Sequence, residues 1–227
     1  MIRKLLCVSA LTLLPHSTFA DFGRGVAAAE RSDYATALRE FRAAAEQGHA
    51  SAQAILGVMY EQGHGTPKND AEAVRRYRQA AEQGHALAQY RLGLMYAEGH
   101  GVPKNDAEAV RWYRQAAEQG EALAQFSLGA MYAEGRGVPK NDAEAVRWFQ
   151  QAAEQGDALA QGILGVMYTQ GRGVPKNSVL AYKWASLAAA QGNEDVRKIL
   201  NILEQTMTRG QIAEAQHLAA DFTARLR

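Results

Sequence analysis

Apolar and polar residues alternate along this chain with a helical rhythm that copies itself. In DAEAVRRYRQAAEQG, residues 70–84, the apolar set Ala73, Val74, Tyr77, Ala80 and Ala81 falls at i, i+1, i+4, i+7 and i+8. That spacing is one face of a helix at 3.6 residues per turn. The stretch that follows, residues 86–99, puts Ala88, Leu92, Met95 and Tyr96 on a second apolar face. Gly84 and Gly99 are placed to end the two helices, because glycine reaches the left-handed conformation without a side-chain penalty. Pro103 cannot lie in a helix interior, so a new helix starts after it. Asn69, three residues before Glu72, resembles a capping box with asparagine in the Ser/Thr role.

The two-helix pattern recurs every 36 residues. AAEQG stands at 44–48, 80–84, 116–120 and 152–156, with AAAQG at 188–192. GxG[TV]PKN stands at 63–69, 99–105, 135–141 and 171–177. Leu56, Leu92, Leu128, Leu164 and Leu200 keep the same register, as do Tyr60, Tyr96, Tyr132 and Tyr168. One helix pair cannot bury both its sides and stacking buries them, so the pattern predicts an all-α solenoid of stacked antiparallel helix pairs. Ala80, Ala81 and Gly93 are small enough to let helix axes approach closely. Residues 21–32 are expected to form an N-terminal capping helix and 33–207 the solenoid. Its units run about 33–68, 69–104, 105–140, 141–176 and a degenerate 177–207, where Asn201 replaces the glycine and Glu204 the tyrosine. Residues 208–227 are expected to cap the C-terminus, with Thr208 and Gln211 as a capping box and Ile212, Ala215, Ala219, Phe222 and Leu226 as a single apolar stripe.

The first twenty residues change the picture of where such a solenoid works. Arg3 and Lys4 precede an apolar run from Leu5 to Leu14, and Thr18-Phe19-Ala20 sets small residues at −3 and −1 before Asp21. Residues 1–20 read as a cleaved secretory signal and the protein as periplasmic or secreted; the competing reading makes the run an apolar helix of the fold. The run is too short to span a bilayer comfortably, which predicts no membrane insertion after cleavage. Cys7 is the single cysteine and lies inside the signal, so the mature chain would have no thiol chemistry. Losing Arg3 and Lys4 takes the 25 basic residues to 23 against 24 acidic ones, a balance that points away from nucleic acid. A hydrophobic fraction of 47% spread along the whole chain excludes low-complexity disorder.

The run A-x-W-[YF]-x-x-A-A-x-Q-G-x-x-x-A-Q-x-x-L-G-x-M-Y-x-x-G-x-G-V-P-K, over about residues 33–192, resembles the Sel1-like repeat, a relative of the tetratricopeptide repeat. The resemblance implies an adaptor or scaffold that binds other proteins, in bacteria often after export. A cysteine-rich exported group in Helicobacter has been linked to penicillin binding; this sequence lacks the cysteines that tie those helix pairs.

Several constellations could carry chemistry. A glycine turn with a lysine ahead of a helix suggests a phosphate cradle, but Lys104 is followed by Asn105 and Asp106, and Asp106 puts negative charge where an anion would sit. His49 and His85 occupy one position of the unit, with Glu121, Asp157 and Asn193 as counterparts; His64 and His100 give way to Arg136 and Arg172. That pattern fits helix caps and surface residues and predicts no metal site and no cofactor. The mature serines lie outside SxxK and GxSxG, and Glu72, Glu108 and Glu144 are each followed at i+3 by Arg75, Arg111 or Arg147, the spacing of surface ion pairs. No enzyme is expected. Trp112, Trp148 and Trp184 share one position and read as packing between helices, with ligand stacking as the other reading.

What is left is display. Glu72, Arg75, Arg78, Gln79 and Glu82 lie opposite the apolar face, with counterparts Arg111, Arg114 and Gln115, then Arg147, Gln150 and Gln151, and finally Lys183. If these helices lead each unit and line a concave surface, as in tetratricopeptide proteins, they form a ladder of donors for a protein partner. Taken singly, each also fits a solvated face. Tyr90 and Phe126, at a position that is Ala54 and Gly162 elsewhere, are either anchors for that partner or fillers against the next unit. The expectation is a monomeric, non-catalytic scaffold whose partner-binding residues are Arg75, Arg78, Gln79, Tyr90, Arg111, Arg114, Gln115, Phe126, Arg147 and Gln151. A regulator of a sensor domain and a β-lactam-acting hydrolase are the alternatives.

Overall fold

The computed structural model describes residues 16–225, and no strand occurs among them. Helices α1 (His16–Glu30), α2 (Tyr34–Glu46), α3 (Ala50–Gln62), α4 (Asp70–Glu82), α5 (Ala86–Glu98) and α6 (Asp106–Glu118) belong to one compact unit, which ends at Gln119. A second unit starts at Gly120 and holds α7 (Ala122–Glu134), α8 (Asp142–Glu154), α9 (Ala158–Gln170) and α10 (Ser178–Ala190). A 3-10 turn (Glu194–Val196), α11 (Arg197–Thr206) and α12 (Arg209–Arg225) complete it. The all-α solenoid of stacked helix pairs expected from the periodicity is the architecture observed. Most of the expected signal, residues 1–15, lies outside the described residues, and 16–20 belong to α1.

Each boundary has a local cause. The side chains of Asn69, Asn105, Asn141 and Asn177 accept backbone N–H groups of the first turns of α4, α6, α8 and α10. Only half of the expected capping box forms at α4: Asn69 caps the Glu72 N–H at 3.0 Å, while the Glu72 carboxylate turns to Arg75 and Arg76. The box at α12 is complete, with Thr208 N–H donating to Gln211 and Gln211 N–H to the Thr208 hydroxyl. Gly63, Gly99, Gly135 and Gly171 close α3, α5, α7 and α9 in the left-handed conformation. The chain then folds back, and the Asn105 N–H returns to the Tyr96 carbonyl at 2.9 Å.

Packing shows which helices are partners. In both units the helices joined by the GxG[TV]PKN loop, α3 with α4, α5 with α6, α7 with α8 and α9 with α10, contact one another more extensively than those joined by AAEQG. In three of these pairs the reason lies at one glycine; in α9 with α10 the corresponding Gly165 meets the Ala185 methyl instead of a ring. A Cβ on Gly93 would stand 2.7 Å from the Tyr113 ring, and one on Gly129 2.9 Å from Phe149, so bare glycine lets the aromatic of the partner helix lie on the backbone. Helix α1, expected as a cap, makes the same contact, with Gly25 against Phe41. It therefore fills the role of α3 or α5 in a pair with a shorter loop. At the other end Asn201 stands where that glycine would be. Helix α12 packs on α10, burying Ala215 and Phe222, and the Phe222 ring meets Trp184 edge-on at 5.5 Å. Leu226, the last residue of the expected stripe, is outside the described residues.

Candidate functional site

Glutamines form the inner skeleton of each turn. Gln53, Gln89, Gln125 and Gln161 are buried. Each accepts from a glutamine of the next AAEQG or AAAQG turn: Gln83 to Gln53 at 2.6 Å, Gln119 to Gln89 at 2.7 Å, Gln155 to Gln125 at 2.8 Å and Gln191 to Gln161 at 2.9 Å. Gln53, Gln89 and Gln161 also donate to the carbonyls of Ala45, Ala81 and Ala153. The carboxylate of Asp21 takes the same place at the start, accepting from Gln47 at 3.3 Å. A buried amide must find both partners or destabilise the fold, and here each finds them in the neighbouring turn.

The other recurrent polar residues are similarly occupied. Gly101 presses on the Asp70 peptide and Gly65 stands where a Cβ would lie 2.5 Å from the Tyr34 carbonyl, so these loops stack on the starts of α4 and α2. With Asn105 accepting from Ala107 and Glu108, the helix N–H groups that would hold a phosphate are already capped. His49 and His85 cap α3 and α5 through Nδ1, accepting from Ala52 and Ala88. Burial lowers both imidazole pKa values. Asp157 caps α9 at 2.7 Å, whereas Glu121 makes no capping bond at α7. Among the described residues no three His, Cys, Asp or Glu side chains gather as metal donors, and no helix is long and apolar enough to cross a membrane.

The tryptophans are packing residues, as their position suggested. Trp112 and Trp148 are buried, with Arg111 and Arg147 lying over the rings at 4.5 and 4.6 Å. Lys183 covers Trp184 at 4.0 Å; burial, then repulsion from Arg225, lowers its pKa. Neither Trp112 nor Trp148 finds an acceptor for its indole N–H. Arg76, in the same position, instead reaches Glu72 at 2.9 Å.

The ten residues expected to meet a partner divide into two groups. Arg75, Arg111, Arg114 and Arg147 are exposed; Arg75 and Arg147 pair with Glu72 and Glu144 at 2.6 and 2.9 Å, and Arg111 lies 3.5 Å from Glu108. Gln79, Gln115 and Gln151 are half-buried beside them. Arg78 is half-buried and donates to the Tyr96 hydroxyl at 2.7 Å, which fixes α4 to α5. Tyr90 and Phe126 are also half-buried, their rings 5.9 Å from Tyr113 and 5.7 Å from Phe149. One side of each ring thus meets the partner helix, and each residue keeps part of its surface exposed. Two residues outside the expected set stand out more: Leu123 and Leu159 are 46% and 58% exposed at one equivalent position. An apolar residue in the first turn of an apolar helix carries no sequence signal of exposure.

The Sel1 repeat matches residues 22–49, 50–85, 86–121, 122–157 and 158–193 without a gap. The chain belongs to the Sel1 repeat family. Members are typically protein-interaction scaffolds, and the fold is generally a non-catalytic one. A protective antigen present in uropathogenic Escherichia coli strains is 34% identical with a TM-score of 0.80, over 92% of this chain and 46% of that one. This chain thus spans about half the length of that relative. A Sel1 repeat protein from Oxalobacter formigenes is 33% identical with a TM-score of 0.77, over 89% of this chain and 84% of that one. An immunity protein from Pseudomonas aeruginosa, 22% identical with a TM-score of 0.50 over 95% and 83% of the two chains, shares the fold. No curated protein sequence matches the chain.

The family register bears on the site. Sel1 repeats here open at Ala50, Ala86, Ala122 and Ala158, half a unit away from the boundaries drawn at 33, 69, 105 and 141. They pair the helices that contact each other most, and make α3, α5, α7 and α9 the leading helices. If leading helices line the binding surface, that surface belongs to the helices of Tyr90, Phe126, Leu123 and Leu159. Arg75, Arg78, Gln79, Arg111, Arg114, Gln115, Arg147 and Gln151 sit on trailing ones.

Proposed function

We propose that this Sel1 repeat protein is exported and works as a scaffold that binds another protein without covalent chemistry or a cofactor. One observation carries the reading. The polar residues that recur in copy after copy, the asparagines and glutamines, are occupied in caps and turns, while residues that vary, Tyr90, Arg91, Phe126 and Ser127 among them, stand partly outward. Side chains displayed on a rigid, repeated frame suit recognition by shape and charge.

Export is supported by where the packing residues begin. Asp21, the first residue after the expected cleavage site, starts the ladder through Gln47, and Phe22 stacks on His49 at 4.4 Å. A relative that is a protective antigen fits a protein reachable from outside the cell. Intact mass of the protein from the periplasm or medium should begin at Asp21; retention of residues 1–20 refutes export by this signal. Photo-crosslinkers at Tyr90 and Arg111 should capture one defined partner in cells. Capture of none at either position, with none on the opposite face, refutes the scaffold reading. Turnover of a chromogenic β-lactam that is lost on one side-chain change refutes the non-catalytic part.

A further inference from the structure

Leu123 and Leu159 lie on an edge that the structure holds in register. Gln155 donates to the Gly120 carbonyl at 2.9 Å and Gln191 to the Gly156 carbonyl at 3.2 Å, so successive turns of this unit are tied together. The residues just after each turn therefore form rungs: Glu121 with Leu123, then Asp157 with Leu159. Along α9 the apolar stripe continues through half-buried Ile163 and Val166, at i+4 and i+7 from Leu159. Asn193 and Val196 come against Gly162, which sets exposed Asp195 beside the same stripe.

Charge says what covers it. Glu121, Asp157 and Asp195 fence the leucines; Glu194 beside them is matched by Arg197 at 2.8 Å. Glu121 is the informative one. Its equivalents His49, His85 and Asp157 cap α-helices, Asn193 opens the 3-10 turn without a capping bond, and Glu121 is the one that leaves an α-helix uncapped, so the first turn of α7 forgoes a stabilising bond and keeps a carboxylate at the edge. A local rule broken without a structural gain is the mark of a site with another task. A helix laid along the edge carries residues i and i+7 about 10 Å apart on one face, one for each rung. We infer that this edge, Glu121, Leu123, Asp157, Leu159 and Asp195, docks a basic amphipathic helix of a partner protein. The apolar side chains of that helix, seven residues apart, meet the two leucines, and flanking lysines or arginines meet the acids.

The inference rests on the scaffold reading and names its surface. The probe is a short helical peptide with leucines at seven-residue spacing on a lysine background, with a scrambled and a glutamate-for-lysine version as controls. Binding to the full protein is followed by fluorescence anisotropy at low and high salt. The leucine–lysine peptide should bind, more weakly as salt rises, and the L123D/L159D double variant should lose about tenfold or more in affinity. Both leucines are exposed, so the helical content of that variant should match the parent. Glu121→Ser should weaken binding severalfold while raising the unfolding midpoint, an opposition that a general loss of structure cannot produce. Equal binding of either control peptide, or binding indifferent to L123D/L159D, overturns the inference. So does a wild-type dimer in sedimentation that L123D/L159D dissociates, because a second copy is then the occupant. A partner captured at Arg111 with the leucine pair irrelevant sinks this surface and leaves the scaffold reading standing.

Discussion

Replacing Gly93 by alanine tests whether bare glycine sets the approach of α5 and α6. An added Cβ meets the Tyr113 ring at 2.7 and 2.8 Å and the Ala109 carbonyl at 3.2 Å. The ring cannot swing aside, because Tyr113 is itself buried with Tyr90 against it, and the carbonyl is helix backbone. Overpacking of this kind costs about 1–3 kcal/mol. Alanine regains about 1 kcal/mol over glycine in a helix interior. The net should be a loss of roughly 0–2 kcal/mol. Gly23 in α1 is the internal control, because nothing lies within 4 Å of the place its Cβ would take. Gly23→Ala should therefore stabilise by about 0.5–1 kcal/mol. Gly165→Ala falls between, since its Cβ meets the Ala185 methyl at 3.1 Å instead of a ring. Urea unfolding followed by circular dichroism ranks the three. Hydrogen exchange of α5 and α6 shows whether the Gly93 loss is local, as nearest-neighbour coupling in a repeat array requires. Equal stability of the Gly93 and Gly23 variants would refute the reasoning.

Three further outcomes follow from the caps and the ladder. Asp157→Ala should cost about 1 kcal/mol in urea unfolding, and Glu121→Ala close to nothing, because only the first side chain caps its helix. Burial lowers the pKa of His49 and His85 below the unfolded value of 6.5, so the unfolded chain binds protons first. Their contribution is complete above about pH 6.5 and is lost as pH falls below it; the unfolding midpoint should drop on acidification there and hold steady in H49N/H85N, whose asparagine caps do not titrate. Gln89→Leu removes a bond to Ala81 at 3.1 Å and one from Gln119 at 2.7 Å and should cost about 1–3 kcal/mol, read as a lower midpoint.

Periodicity made the helices, their ends and the close-packing glycine legible, because each depends on neighbours in sequence. Phase was not legible. A periodic pattern has no inherent start, and whether α4 belongs with α3 or α5 depends on which loop lets an aromatic ring lie on a glycine, as Tyr113 lies on Gly93. The glutamine ladder was hidden for a related reason. Gln89 looks like a surface residue until Gln119, thirty positions on, supplies the second half of its bonding. Arg78 reads as a free donor in sequence, yet its guanidinium is held by the Tyr96 hydroxyl. Exposure of Leu123 is invisible for the opposite cause, since its neighbours Ala122 and Ala124 make it look like core.

The cap position links stability to recognition. At α3, α5 and α9 the third backbone N–H of the helix, that of Ala52, Ala88 or Ala160, is bonded to a side chain, His49, His85 or Asp157. At α7 the counterpart is Ala124, and Glu121 leaves it without that bond. Because the first N–H groups of a helix have no partner within it, this turn depends on water and should open most readily of the four. The exposed Leu123 sits in the same turn, so a helix docked there orders and shields the weak point at once. Binding favours the closed state by mass action. Exchange of the Ala124 amide should therefore be fast in the protein alone and slow when the leucine–lysine peptide is bound. In Glu121→Ser it should already be slow, and the peptide should add little. If the Ala124 amide exchanges as slowly as that of Ala160 in the unbound protein, the missing cap has no cost, and the case for Glu121 as a residue kept for a partner falls.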